Sequence, residues 1–172
     1  MESIALAAAD KPARYRELLP QLAALFDGEP DLIANLANAV AALRECVPAA
    51  SWIGVYIVRG GELVLGPFQG KIACVRIAFG RGVCGTAAAE QRTLIVPDVD
   101  EFPGHIACDA GSRSEIVVPI LRPRRPESPA PAGPHGEVVA VLDLDSYERA
   151  AFDDADADGL SPIAELLGTL AW

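Results

Sequence analysis

Residues 51–65 read SWIGVYIVRGGELVL, and from Trp52 to Val58 their period is two. Ile53, Val55 and Ile57 alternate with Trp52, Gly54 and Tyr56, so one face of a strand is aliphatic and the other largely aromatic. Gly60-Gly61 supplies the backbone freedom that a two-residue hairpin turn demands, and Glu62 to Leu65 return as the partner strand. A hairpin with two dissimilar faces commits the chain to a sheet. The flanking segments say what covers it.

On the N-terminal side the period becomes helical. Leu18, Leu22 and Leu25 form a stripe between about Pro12 and Phe26, and Leu32, Leu36, Val40 and Leu43 form another between about Pro30 and Cys46. Asp10 and Asp31 stand at the helix starts, with Gly28-Glu29-Pro30 as the break between the two helices. On the C-terminal side a third strand fits Ala73 to Ala78, and a short helix opens at Gly82-Val83-Cys84 and runs to Glu90. Leu94 to Val96 and Glu115 to Leu121 supply strands four and five. The sixth, Glu137 to Asp145, is apolar on both faces until its end, so both sides of the sheet must be covered. A last helix, from about Asp153 to Leu170, contributes Leu160, Ile163, Leu166 and Leu167. The expected fold is α+β: an antiparallel sheet of about six strands, N- and C-terminal helices packed on one face, and a loop-covered pocket on the other. One domain spans 1–172. Residues 122–135 hold five prolines and three arginines and read as an exposed excursion between strands five and six.

The chain carries 14 Lys and Arg against 24 Asp and Glu, a formal net charge of −10. That balance excludes the basic stripe of a nucleic-acid binder. It also speaks against anionic membranes, and no apolar run approaches the roughly 20 residues of a membrane span. Glu2 and the lack of a basic segment before Ile4–Ala9 argue against a secretory signal, so a cytoplasmic protein is expected. In a reducing compartment four cysteines point to catalysis, metal binding or burial rather than a disulfide scaffold.

Strand alternation sorts the reactive side chains. With Ile53, Val55 and Ile57 on the helices, Trp52 and Tyr56 face the other way. Cys74 and Arg76 oppose Val75 and Ile77, Glu115 and Val117 oppose Ile116 and Val118, and Asp143 and Asp145 oppose Leu142 and Leu144. The face away from the helices thus collects two aromatics, a thiol and three carboxylates, under a long loop, Phe79 to Ser114, that brings Cys84 and Cys108. A thiolate is a nucleophile. Cys84, at a helix start, sits where backbone N–H groups favour that form. His105 lies three residues before Cys108, within reach to assist it. A thiol oxidised to a sulfenic acid condenses with a second thiol. Carboxylates suit a cationic ligand, and one raised in pKa by burial can protonate a leaving oxygen. Plainer readings stand beside these: free cysteine is a common core residue, and Cys46 keeps that reading. Cys74, Cys84, His105 and Cys108 are also zinc-ligand types, although the paired CxxC spacing of a structural zinc site is absent. Composition and periodicity alone carry the reading as far as a ligand pocket.

The run LGPFQGKIACVRIAFGRGVCGTAAAEQRTLIVPDVDEFPGHIACDAGSRSEIVVP, Leu65 to Pro119, closely resembles the signature of free methionine-(R)-sulfoxide reductases, with SWIGVY before it and VAVLDLDS after it. The resemblance spans Ser51 to about Phe152. It implies a GAF fold, usually dimeric, that reduces free methionine-(R)-sulfoxide but not the oxidised residue inside a protein. By likeness Cys108 in HIACD takes the nucleophile's place, and Cys74 and Cys84 take those of the resolving and recycling thiols. Glu115 is the first choice for the acid. Trp52, Tyr56, Asp143 and Asp145 fall on substrate-pocket positions. The implied chemistry binds no metal or other cofactor and draws electrons from thioredoxin. The 122–135 excursion and Ile72, where proline is common, depart from the pattern without removing a reacting group. A non-catalytic GAF sensor is the rival from another class, and a zinc-binding structural module is the third reading.

Overall fold

The computed structural model describes residues 4–106, 108–123 and 136–172; most of the proline- and arginine-rich excursion expected at 122–135 lies outside the described residues. Two helices open the chain, α1 (Lys11–Phe26) and α2 (Leu32–Cys46). Both start where a short acidic side chain satisfies an orphan N–H. Asp10 accepts from Ala13 and Asp31 from Ala34. The hairpin follows as β1 (Trp52–Arg59) and β2 (Glu62–Gln69), turning at Gly60 and Gly61 with φ of 62° and 84°. Then come β3 (Arg76–Ala78), α3 (Gly82–Glu90), β4 (Leu94–Val96), β5 (Ser114–Arg122), β6 (Glu137–Ser146) and α4 (Asp154–Gly168).

The strands form one antiparallel sheet in the order β3-β2-β1-β6-β5-β4. Its central strands are the hairpin strand and the last strand. On one face Ile53, Val55, Ile57, Ile116, Val118, Leu142 and Leu144 pack with Leu18, Leu22, Leu36, Leu43, Leu160 and Ile163 of α1, α2 and α4 into the main core. The alternation of β1, β5 and β6 therefore points as expected. α4 is held by a capping box, in which Asp153 takes the Asp156 N–H and Asp156 takes that of Asp153. Asp156, fully buried, also accepts from the Tyr15 hydroxyl at 2.8 Å and pairs with Lys11, which ties the first helix to the last.

The other face differs from expectation in two ways. It is roofed by α3 as well as by loop: Val83, Cys84, Ala87 and Ala88 pack against Tyr56, Val117 and Val141. Second, β3 is three residues long rather than six. Cys74 precedes it in irregular backbone. Arg76, expected beside Cys74 on the pocket face, points outward to pair with Glu62, whereas Ile77 takes the inner side and Val75 is 63% exposed. An edge strand this short has too few ladder bonds to extend its pleat over the preceding residues.

Candidate active site

The pocket face is built by register. Trp52 stands opposite Asp145, and Asp145 opposite Glu115, so three strands place an aromatic and two carboxylates in one row. One row on, Gly54 faces Asp143. A Cβ on Gly54 would lie 2.3 Å from the Trp52 ring, so only glycine lets the indole lie flat on the sheet. Trp52 stacks on Tyr56 and on Phe68, and its Nε1 donates to the Lys71 carbonyl at 3.0 Å. Above this floor lies a pocket lined by Trp52, Tyr56, Cys84, Cys108, Glu115, Asp143 and Asp145 among others.

Every site residue expected from the sequence reaches this pocket except Cys74, which reaches it through its partner. Cys74 and Cys108 form a disulfide, with Cα atoms 5.3 Å apart and 34 residues between them in sequence. The sequence left Cys74 and Cys84 as alternative partners. The structure pairs Cys108 with Cys74 and leaves Cys84 free and buried. The Tyr56 hydroxyl lies 4.0 Å from Cys108 Sγ.

The acids are electrically crowded. Glu115 and Asp143 are both driven well above the ordinary carboxylate range, first by burial and then by neighbouring carboxylates. Asp145 is pushed up to about 6 by burial, against a hydrogen bond with Ser112 that pulls the other way. Asp143 Oδ1 is buried with no hydrogen-bond partner, an orphan acceptor aimed at whatever fills the pocket. Cys84 Sγ donates to Glu115 Oε1 at 3.8 Å. Here the structure corrects the sequence reading. Cys84 is at the start of α3, yet burial and the charges of Asp143 and Glu115 push its thiol well up, and the thiolate is disfavoured. Desolvation plus three acids outweighs one helix terminus.

His105, read as an assistant to Cys108, has its Nε2 3.8 Å from Glu115, and burial lowers its pKa, so the ring is neutral at pH 7. The zinc set weighed from sequence is not assembled, because two of its sulfurs bond to each other. Among the described residues, Cys84, Glu115 and Asp143 bring ligand atoms within 4.8 Å of one another. Cys46 lies in the helix-side core with its thiol pushed up to about 11 by burial, as its structural reading requires. Phe68 and Ser112 were missed. β2 runs four residues past its expected end to include Phe68, and Ser112 sits in backbone with no period to read.

A sheet with helices on one face and a roofed ligand pocket on the other is the architecture of the GAF domain, and the GAF domain model matches residues 31–170. GAF domain-containing protein A of Dictyostelium discoideum is 47% identical, over 96% of this chain and 98% of its own length. The free methionine-R-sulfoxide reductase of Escherichia coli is 44% identical, over 94% of this chain and 92% of its own. Among solved structures, the free methionine-R-sulfoxide reductase of Neisseria meningitidis, in complex with its substrate, superposes with a TM-score of 0.86 at 46% identity, covering 98% of this chain and 94% of that one. The chain belongs to the free methionine-R-sulfoxide reductase family of GAF-domain proteins.

Proposed function

We propose that this protein reduces free L-methionine (R)-S-oxide to L-methionine, with Cys108 as nucleophile and Cys74 as its first resolving thiol. The observation that carries the reading is a disulfide at the mouth of a pocket of acids and aromatics. In the reduced enzyme the Cys108 thiolate attacks the sulfoxide sulfur while Glu115, protonated because it is buried among carboxylates, gives its proton to the oxygen. The oxygen then passes from the substrate sulfur to Cys108 as the transient sulfur–sulfur bond breaks, so methionine leaves reduced by two electrons and Cys108 is left as a sulfenic acid. Cys74 then attacks that sulfur, the disulfide forms and water departs. A dithiol reductant of the thioredoxin type restores both thiols by exchange. Cys84, a neutral thiol against Glu115, serves as a later relay in that exchange.

Trp52 and Tyr56 offer walls for the thioether methyl. Asp143, with an unpartnered oxygen, and Asp145 suit the α-ammonium of a free amino acid. A peptide-linked nitrogen carries no charge there and leaves buried acids unpaired, at a cost of a few kcal/mol, about the penalty for such groups. The reading also places the protein in the cytoplasm as a homodimer. Its test is turnover of free methionine-(R)-sulfoxide by the wild type and by Cys108→Ser. Methionine formation with a matching loss of thiols, absent in Cys108→Ser, is expected. Binding with all thiols left intact would instead describe a sensor, and activity retained in the variant would remove Cys108 from its role.

A further inference from the structure

Neither cysteine of the disulfide stands on a helix or strand, so regular backbone does not fix the distance between them. A set of side chains centred on Asp109, at the pocket wall, ties their two segments together. Lys71, three residues before Cys74, has Nζ 3.1 Å from Oδ2 of Asp109, the residue after Cys108. Tyr147, just past β6, donates its hydroxyl to the same oxygen at 2.8 Å, and Lys71 Nζ lies 4.9 Å over the Tyr147 ring. Gly111 N–H donates to the other oxygen at 2.9 Å. The Lys71 carbonyl meanwhile holds the Trp52 indole. The Cys74 segment is therefore tied to β1 and to the Cys108 segment, and the Cys108 segment to the end of β6.

We infer that Lys71, Asp109 and Tyr147 form a clamp that positions the Cys74 thiol for attack on the Cys108 sulfenic acid. This rests on the reductase reading and adds to it the residues that set the rate of disulfide closure. That step joins two groups of one chain, so its rate scales with the effective concentration of one sulfur at the other. In it the Cys108 sulfenic acid and the Cys74 thiol become a disulfide and one water, with no further reductant. An ordinary exposed ion pair does little. Here one carboxylate collects an ammonium, a hydroxyl and a backbone N–H, which orients it as charge-assisted bonds do. These donors hold its pKa down at about 2, Gly111 first and Tyr147 next, so Asp109 stays charged throughout the working range.

The test uses the full chain with Lys71→Met, Tyr147→Phe, the two combined, and Lys71→Arg as the conservative variant. One equivalent of methionine sulfoxide is given to reduced enzyme without any reductant, and samples are quenched in time. In the double variant methionine release should stay within about twofold of wild type, while closure slows about tenfold, the loss of one charge-assisted contact set. A carbon-nucleophile probe should then capture sulfenic acid on Cys108. Lys71→Arg should restore closure. Wild-type closure should slow between about 20 mM and 0.5 M salt, and Lys71→Met should lose that dependence, as screening of a half-exposed pair requires. Closure in the double variant as fast as in wild type would overturn the clamp. If the wild type forms no methionine, the reductase reading has failed, and the clamp is decided by the Cys74–Cys108 potential in thiol buffers. There the double variant should reduce more easily, and an unchanged potential would end the proposal.

Discussion

Glu115 and Cys84 show how far surroundings set the chemistry of a side chain. Both are buried, 3.8 Å apart, and burial drives both pKa values upward, which favours the protonated form of each. For a carboxyl group this favours a proton donor; for a thiol it disfavours the attacking thiolate, which suits Cys84 to a later step than Cys108. The sequence leaves open which of Cys74 and Cys84 pairs first with Cys108, and the structure separates them: Cys74 is half-buried and bonded to Cys108, whereas Cys84 is buried. If Glu115 is the acid, activity requires its protonated form and falls as pH rises through its raised pKa. Glu115→Gln should lower kcat by about 10²-fold, the low end for a general acid, and should erase that alkaline limb. The kcat/KM profile against pH for wild type and variant checks both outcomes. A profile with the same limb in Glu115→Gln would assign the proton to another group.

At the scale of elements, legibility in the sequence follows length and burial. β1, β5 and β6 are long, central and buried on both faces, so an error of one residue in register would put aliphatic side chains in the pocket and acids in the core. Their alternation accordingly places Trp52, Tyr56, Glu115, Asp143 and Asp145 correctly. β3 is short and marginal, its Val75 is exposed, and a run of alternating residues there carried no information about facing. Cys74 is named by the family resemblance, and the disulfide, not periodicity, brings it to the site. Lys71, Asp109 and Tyr147 leave no trace in a pattern, because their meeting depends on three irregular segments converging. The helical layer has a test of its own. Asp156 lies inside the first turn of α4, fully buried, with the Asp153 N–H, the Tyr15 hydroxyl and Lys11 as partners. Asp156→Ala removes half of a capping box and strands a buried hydroxyl and an ammonium. A loss of about 3 kcal/mol is expected, the usual cost of breaking a buried charged network. Urea unfolding should show a lower midpoint, with substrate KM unchanged because the pocket is on the opposite face of the sheet.

The whole molecule divides its sheet between two tasks, one face apolar and stabilising, the other acidic and reactive. That second face works against stability. Asp145, ordinarily near 3.8, is pushed up to about 6, and Glu115 and Asp143 lie above the ordinary range as well. Between about pH 4 and 6 the unfolded chain has released the Asp145 proton while the folded chain retains it. The folded state then binds more protons, so stability falls as pH rises through that window, and Glu115 and Asp143 extend the fall to higher pH. Below about pH 4 these three groups add no slope. Asp109 and Asp153, whose values are lowered, act in the opposite sense: the stability they add is present above their unfolded values and is lost as pH falls through their lowered folded values. Asp145→Asn removes a titrating group and keeps its shape. Relative to wild type, the variant should therefore lose the downward slope between pH 4 and 6 and gain stability at pH 7, the exchange expected where a site is held in an unfavourable charge state for function. On the proposed binding mode its affinity for the free amino acid should fall, because Asp145 is one of the two acids assigned to the ammonium. Urea midpoints for both proteins, each kept fully oxidised across pH 3 to 8, give the slopes; parallel curves would mean that Asp145 ionises as freely in the folded protein as in the unfolded chain.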